Sequence, residues 1–188
     1  LGFAQFIKIV DGETVLISNG FAPTFGAAWD SNPYAQQWSL VEGEPPTNTK
    51  EVVMDVVTAE NHDFTVGDRV TVLAGATPAS FTIVGIAEFA NVGAPGGATF
   101  ALFEFRTAQK LLDSRGEVDL INVVIENNFD INDVKTEITN LDSENLNVIN
   151  AQEAAAEQAD SIKQGLDFFN TILNVFAGIA IFVGAFII

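Results

Sequence analysis

Hydrophobic and polar positions alternate over several short stretches in the first half of the chain. Runs rich in β-branched and aromatic residues at 3–10 and 14–18 flank Asp11-Gly12, a pattern that predicts a β-hairpin with a tight turn. Residues 21–50 lack such alternation and contain Pro23, Pro33, Pro45, Pro46 and both tryptophans. We therefore expect a long extended surface loop there.

The middle third of the chain has the pattern of a small β-rich module over about 51–90. Residues 51–57 alternate well enough for a strand, and the runs 64–73 and 80–86 are rich in β-branched residues. Gly67-Asp68 has the composition of a tight turn. The glycine-rich stretch 91–98 then predicts a flexible break.

A different periodicity follows this break. Residues 106–114 predict a short helix, because Ala108, Leu111 and Leu112 share one face. Residues 120–150 have the pattern of a βαβ unit, with strands at 120–125 and 146–149 around a helix at 130–141. Residues 151–162 are strongly helix-forming and run towards the C-terminal segment with only Gly165 as a candidate interruption, so we expect the domain and the membrane helix to be mechanically continuous.

The C-terminal segment 171–188 is apolar except for Thr171 and Asn174, and no charged residue follows Asp167. As a helix it would span roughly 27 Å, close to the hydrocarbon thickness of a bilayer. A buried core helix should show a polar stripe, which 175–188 lacks, so a transmembrane helix is the better interpretation. We expect the 188 residues to be part of a longer membrane protein.

The charge distribution indicates on which side of the membrane the domain lies, and it argues against a nucleic acid partner. The chain has 8 Lys and Arg against 25 Asp and Glu, a formal net charge of -17. No nucleic acid partner is expected, because such a chain cannot neutralise a phosphate backbone. Cytoplasmic flanks of membrane helices are usually rich in Lys and Arg, so the acidic residues before the helix favour an extracytoplasmic domain.

The residues suited to chemistry form no recognisable active site. His62 is the single histidine and cysteine is absent, which excludes a metal site built from several histidines and thiolate metal sites within this chain. Asp55, Asp63 and Asp68 lack the spacing of a calcium loop, so we expect them on a solvated face. The glycines at 93–97 lack the lysine of a phosphate loop, so we interpret them as a hinge. The sequence predicts no catalytic, cofactor-binding or metal-binding residue and no cofactor.

With these elements in order, the chain resembles the MacB/FtsX-type ABC transporter permeases over most of its length. The resemblance is carried by EVVMD at 51–55, FTVGDRVTV at 64–72 and FTIVGIAEF at 81–89. TAQKLL at 107–112 and the predicted βαβ unit follow, and the closing FAGIAIFVGAFII resembles the family's second transmembrane helix, where the FtsX-like permease region begins.

The resemblance implies an α+β fold: a porter-like βαβ subdomain with an inserted small β-rich subdomain, followed by a membrane helix. Residues 1–167 would form the MacB-like extracytoplasmic core domain, with the inserted module at about 51–90. Residues 151–167 would be a coupling helix, and 168–188 would start the transmembrane helix of the permease region.

The resemblance also implies partners and a mechanical role at the cell membrane. The permease would pair with a second permease chain and with a cytoplasmic ABC ATPase subunit or domain, which hydrolyses ATP in place of this chain. The chain itself would not be an enzyme. Its substrate and direction of transport stay open, and the acidic cluster Asp130, Asp133 and Glu137 would suit a cationic substrate as well as simple solubility.

A second interpretation comes from a different class of protein. An acidic extracellular binding or adhesion domain held by a C-terminal membrane anchor would have the same charge distribution and the same apolar end. It would need no partner ATPase.

Overall fold

A computed structural model gives the fold, and it describes residues 1–10, 13–18, 22–74, 77–90, 93–94, 97–141 and 146–187. The chain forms two compact units, Leu1–Val124 and Ile125–Ile188. The first contains a curled β-sheet with two short helices, and the second contains two longer helices. The predicted α+β class is confirmed.

The strands described in the first unit join in one sheet. They are β1 (Gly2–Phe3), β2 (Gln5–Val10), β3 (Glu13–Ile17), β4 (Thr24–Ala28), β5 (Trp38–Gly43), β6 (Glu51–Asp55), β7 (Arg69–Ala74), β8 (Thr77–Phe89) and β9 (Thr99–Phe103). Their order is β1-β4-β9-β6-β8-β7-β2-β3, and β5 pairs with β8 outside this path.

The hairpin predicted at the start of the chain is present. Strands β2 and β3 pair antiparallel, with Phe6 opposite Ile17 and Val10 opposite Glu13. Alternation places Phe6 and Ile17 in the core, which fixes the register because a slip of one residue would turn both outward. The predicted turn residues Asp11-Gly12 lie outside the described residues.

The strands predicted between residues 51 and 90 are also present. Strands β7 and β8 pair antiparallel, and Gly67 has a φ of 100° in the turn before β7. Strand β6 ends two residues earlier than predicted because the Asp55 side chain caps a helix there. These strands pair with β9, β2 and β5, so the segment shares one sheet with the chain on either side. The predicted domain boundaries stay predictions.

The loop predicted for residues 21–50 is wrong in part, because it contains β4 and β5. Strand β4 pairs parallel with β9, and β5 pairs antiparallel with β8 through a bulge at residues 40–42. The prolines lie outside both strands, where a missing amide hydrogen breaks no ladder. Pairing with strands distant in sequence therefore decides the structure here.

Glycine allows the end of β5 to approach β8 closely. Gly43 has a φ of 79°, and a Cβ on Gly85 would lie 2.7 Å from the carbonyl oxygen of Glu44. A side chain at either position would force the two backbones apart. The pairing of β5 with β8 places Trp38, at the start of β5, opposite Phe89.

The two faces of the sheet bury separate clusters. Val52 and Met54 point into the larger core, which includes Phe6 and Phe103. Val53, between them, points to the other face and joins a small cluster with Ala87 and Leu102. Trp29, Trp38 and Leu40 pack on this second cluster. The segment that was expected to be a loop thus covers the second face.

The helices are α1 (Val56–Asn61), α2 (Phe105–Leu111), α3 (Ile131–Leu141) and α4 (Ala151–Ile187). Helices α2 and α3 confirm the helix predictions at 106–114 and 130–141. The strands predicted at 120–125 and 146–149 are wrong, because neither segment is assigned as a strand. Leu120 is 71% exposed and Ile121 is 67% exposed, so the β-forming residues there lack a described pairing partner.

Candidate functional site

Asp55 forms part of a buried structural network, so the solvated position expected for it is wrong. One carboxylate oxygen accepts the Thr58 amide hydrogen at 2.8 Å, and the other accepts the Phe100 amide hydrogen at 2.8 Å. The Thr58 hydroxyl lies 3.1 Å from that of Thr99. Burial raises the pKa of Asp55, while these hydrogen bonds lower it less. The network fixes α1 and β9 to the end of β6.

The other two aspartates named in the sequence analysis, Asp63 and Asp68, lie in turns. Asp68 accepts hydrogen bonds from the amide and hydroxyl of Thr65, at 2.8 and 3.1 Å. Asp63 has a φ of 55° in the turn after α1, beside His62, whose Nε2 lies 3.3 Å from the Ser18 carbonyl oxygen. Among the described residues no three His, Asp or Glu side chains are grouped to hold a metal ion.

The glycine-rich segment interpreted as a hinge is described only in part. Residues 95 and 96 lie outside the described residues. The carbonyl oxygen of Gly93 accepts a hydrogen bond from the Phe89 amide at 2.6 Å, and a Cβ on Gly93 would lie 3.0 Å from Val57 of α1. Its φ of 90° and this close approach explain glycine at position 93. The hinge itself stays a prediction.

An ion pair links α3 to the start of α4. The Lys135 ammonium lies 2.5 Å from a carboxylate oxygen of Glu153. Glu153 also accepts the Asn150 amide hydrogen at 2.9 Å, while the Asn150 side chain accepts the Glu153 amide hydrogen at 2.8 Å. This reciprocal pair is a capping box that defines where α4 begins. The bond from Lys135 is the largest cause of a lowered Glu153 pKa.

Helix α4 continues through Gly165, the one candidate position for an interruption. It extends from Ala151 to Ile187, 37 residues, and Gly165 lies inside it. Within the described residues no helix is long and apolar enough to span a membrane. The side chains of 180–188, including Ala180 and Gly184, lie outside the described residues. The membrane helix at 168–188 therefore stays a prediction.

The acidic cluster on α3 is exposed at all three positions, Asp130, Asp133 and Glu137. Asp130 precedes the helix and accepts the Asn132 amide hydrogen at 2.8 Å, so this residue caps α3. The other two lie on the helix, with Asp133 in its first turn, where the helix dipole favours an acidic side chain.

One groove of the first unit was not predicted from the sequence. Its cavity has a volume of about 530 Å³. It is lined by Trp29 and Trp38, by the turn residues between β4 and β5, by Pro45 and Pro46 after β5, and by Glu104 and Phe105 at the start of α2. The clustering of both tryptophans with four prolines in residues 21–50 was the available signal, but only strand pairing brings them to one face.

The fold and its polar network can be compared with known families. A family model described as the MacB-like periplasmic core domain matches residues 5–141, which extend from β2 to the end of α3. The chain belongs to this family. The comparison with curated proteins gives no match. The resemblance found in the sequence motifs is confirmed by the family match.

Membership defines the kind of protein. A MacB-like periplasmic core domain is the extracytoplasmic domain of an ABC transporter permease, a family of transporter components and not of known enzymes. Such a permease works in a transport system with an ATPase partner. In this core domain Asp55 lies at the end of the interior strand β6. The groove lined by Trp29 and Trp38, called here the tryptophan groove, lies on the second face of the sheet.

Proposed function

We propose that this chain couples ATP-driven movement of membrane helices to export or extraction of a substrate at the outer face of the cell membrane. In this proposal residues 1–167 lie on the extracytoplasmic side, and 168–188 begin a transmembrane helix. The observation that carries the proposal is the continuity of α4 from Ala151 to Ile187. A displacement of its apolar end would reach its polar start without an intervening loop.

The start of α4 is well suited to receive such a displacement. At 1.5 Å per residue the helix is about 55 Å long, and a continuous helix transmits axial and tilting motion along its length. The capping box of Asn150 and Glu153 fixes its first turn, and Lys135 links that turn to α3. Gly165 is the glycine of α4 that precedes the apolar segment, and glycine disfavours a helix by about 1 kcal/mol relative to alanine.

The proposal includes the partners that supply energy and complete the path. A cytoplasmic ABC ATPase would hydrolyse ATP, and a second permease chain would complete the membrane part as a homodimer or heterodimer. The lipid bilayer would surround the segment after Asp167, which has no charged residue. The inference of these partners rests on family membership together with the charge pattern.

The coupling can be tested in the complete permease with its ATPase, in membranes. The substitution Asp160→Cys would place a thiol in the exposed part of α4, in a segment that otherwise contains no cysteine. We expect the rate of its reaction with a maleimide to change when ATP and vanadate are added. Inserting Gly-Gly-Ser after Gly165 should abolish this change while ATP hydrolysis continues.

A matched insertion distinguishes coupling from general damage. Gly116 lies in an exposed turn outside α4, so Gly-Gly-Ser inserted there should leave the nucleotide response intact. A response that survives the insertion after Gly165 would contradict the proposal. The alternative, an adhesion domain with a C-terminal anchor, predicts no nucleotide response even without an insertion.

A further inference from the structure

The ion pair between Lys135 of α3 and Glu153 of α4 is a contact that any axial displacement of α4 must change. We propose that Lys135 exchanges between Glu153 and Glu157, so that α4 has two preferred registers relative to α3. The inference rests on the proposed function and deepens it, because it names the contact that distinguishes the two positions of the moving helix.

Lys135 pairs with α4 because its own helix offers it no acidic partner. It is the single basic residue of α3. The residues three and four positions away from it are uncharged: Ile131, Asn132, Ile138 and Thr139. Side chains at these spacings are neighbours on a helix, whereas Asp133 and Glu137, two positions away, do not face Lys135. The ammonium group therefore depends on the carboxylates that α4 presents to it.

Helix α4 carries a second carboxylate one turn after Glu153, at Glu157. At 1.5 Å per residue, a shift of about 6 Å along the helix axis brings Glu157 to the place of Glu153, with a rotation of about 40°. Residues 154–156 between them are alanines, so no long side chain obstructs the passage of Lys135. One-turn shifts of one element past another are an established form of switching.

Both registers keep α4 capped and keep Lys135 paired. The Oε2 atom of Glu153 accepts hydrogen bonds from Lys135 and from the Asn150 amide, at 2.5 and 2.9 Å. Asn150 caps α4 and moves with it, so Glu153 keeps this amide when Lys135 leaves. Glu157 is exposed, as a carboxylate that receives the ammonium group must be. Because each register contains one such ion pair, the two differ little in free energy, as a two-state element requires.

The ion pair is also weak enough to exchange. The side chain of Lys135 is 32% exposed and that of Glu153 is 43% exposed, so water screens their attraction. A displacement of α4 therefore replaces one partly solvated contact with another and leaves no charge buried without a partner.

Cross-linking reports the register directly. In the complete permease with its ATPase, in membranes and without other cysteines, Lys135→Cys would be combined with Glu153→Cys or with Glu157→Cys. Without nucleotide, a short bifunctional thiol reagent should link the 135–153 pair faster. Added ATP and vanadate should raise the rate for the 135–157 pair, lower it for the 135–153 pair and reverse their order.

A second measurement keeps Lys135 and Glu153 and tests the charge at position 157. The reporter is the maleimide reaction of Asp160→Cys. Glu157→Gln removes the receiving charge at similar size, and we expect the nucleotide-induced change in rate to become about two- to fivefold smaller, the equilibrium effect of one exposed ion pair. Glu137→Gln makes the same change at an exposed position of α3 and should leave the response unaltered.

The outcomes distinguish this inference from the proposed function. The register exchange is overturned if the thiol at position 160 responds to nucleotide while the ratio of the two cross-linking rates stays constant. It is overturned equally if Glu157→Gln and Glu137→Gln give the same response. If neither the thiol nor the ratio responds, the proposed function fails together with it.

Discussion

Replacing Asp55 with alanine tests the buried network at the end of the interior strand β6. Its two carboxylate oxygens accept separate amide hydrogens, from Thr58 in α1 and from Phe100 in β9. Loss of the helix cap should cost about 1 kcal/mol, and the unpaired, half-buried Phe100 amide should cost about 1–2 kcal/mol more. We therefore expect the free energy of unfolding of the first unit to fall by about 2–3 kcal/mol.

Asp55→Asn separates hydrogen bonding from charge. An asparagine keeps one acceptor oxygen, so it satisfies one of the two amide donors and should destabilise by less than alanine. Denaturant titration followed by tryptophan fluorescence measures both variants, because Trp29 and Trp38 lie in this unit. Glu60→Ala, at an exposed position of α1, serves as the control and should change little.

The pKa of Asp55 adds a prediction for pH. Because burial raises its pKa in the folded state, the folded protein binds a proton there more tightly than the unfolded chain does. The resulting stability is present below the ordinary aspartate pKa and is lost as pH rises through the folded-state value. The stability difference between the unaltered chain and Asp55→Asn should therefore be larger at pH 3 than at pH 7. Equal stabilities of the unaltered chain and Asp55→Ala at neutral pH would refute the reasoning.

Three further substitutions test individual contacts. Gly85→Ala should destabilise the first unit by about 1–3 kcal/mol, because its Cβ would press on the Glu44 backbone, whereas Ser80→Ala on the same strand should be neutral in the same denaturation assay. Lys135→Met should raise the pKa of Glu153 towards its ordinary value in an NMR titration, and an unmoved pKa would contradict the ion pair. Asp130→Ala should reduce the helical signal in the circular dichroism spectrum, because the start of α3 loses its cap. Asp130→Asn should preserve this signal, since asparagine also caps helices, and equal spectra of the two variants would argue against the cap.

Local pattern was sufficient for elements whose partners are close in sequence. The hairpin of β2 and β3 and the pairing of β7 with β8 follow from alternating β-branched residues around short turns. Helix α2 follows from the face formed by Ala108 and Leu111. Its start at Phe105, fixed by Glu104 accepting the Arg106 and Thr107 amide hydrogens, needs the structure to locate.

The local pattern of residues did not predict elements that depend on pairing between strands distant in sequence. Strand β4 forms because β9, more than seventy residues later, lies beside it in parallel. Residues 120–125 have strong β propensity but remain unpaired among the described residues, which shows that propensity alone does not make a strand. The tryptophan groove was not predicted because it also depends on long-range strand pairing, which brings Trp29 and Trp38 to one face through β4 and β5.

The extracytoplasmic location of the core domain is the central claim, and labelling in intact cells tests it most directly. Ser80→Cys would place one thiol at an exposed position of β8, and the cysteine-free segment provides the background. With the complete permease expressed in cells, a membrane-impermeant maleimide should label this thiol without permeabilisation. Labelling that appears only after the cells are permeabilised would place the domain in the cytoplasm and contradict the account.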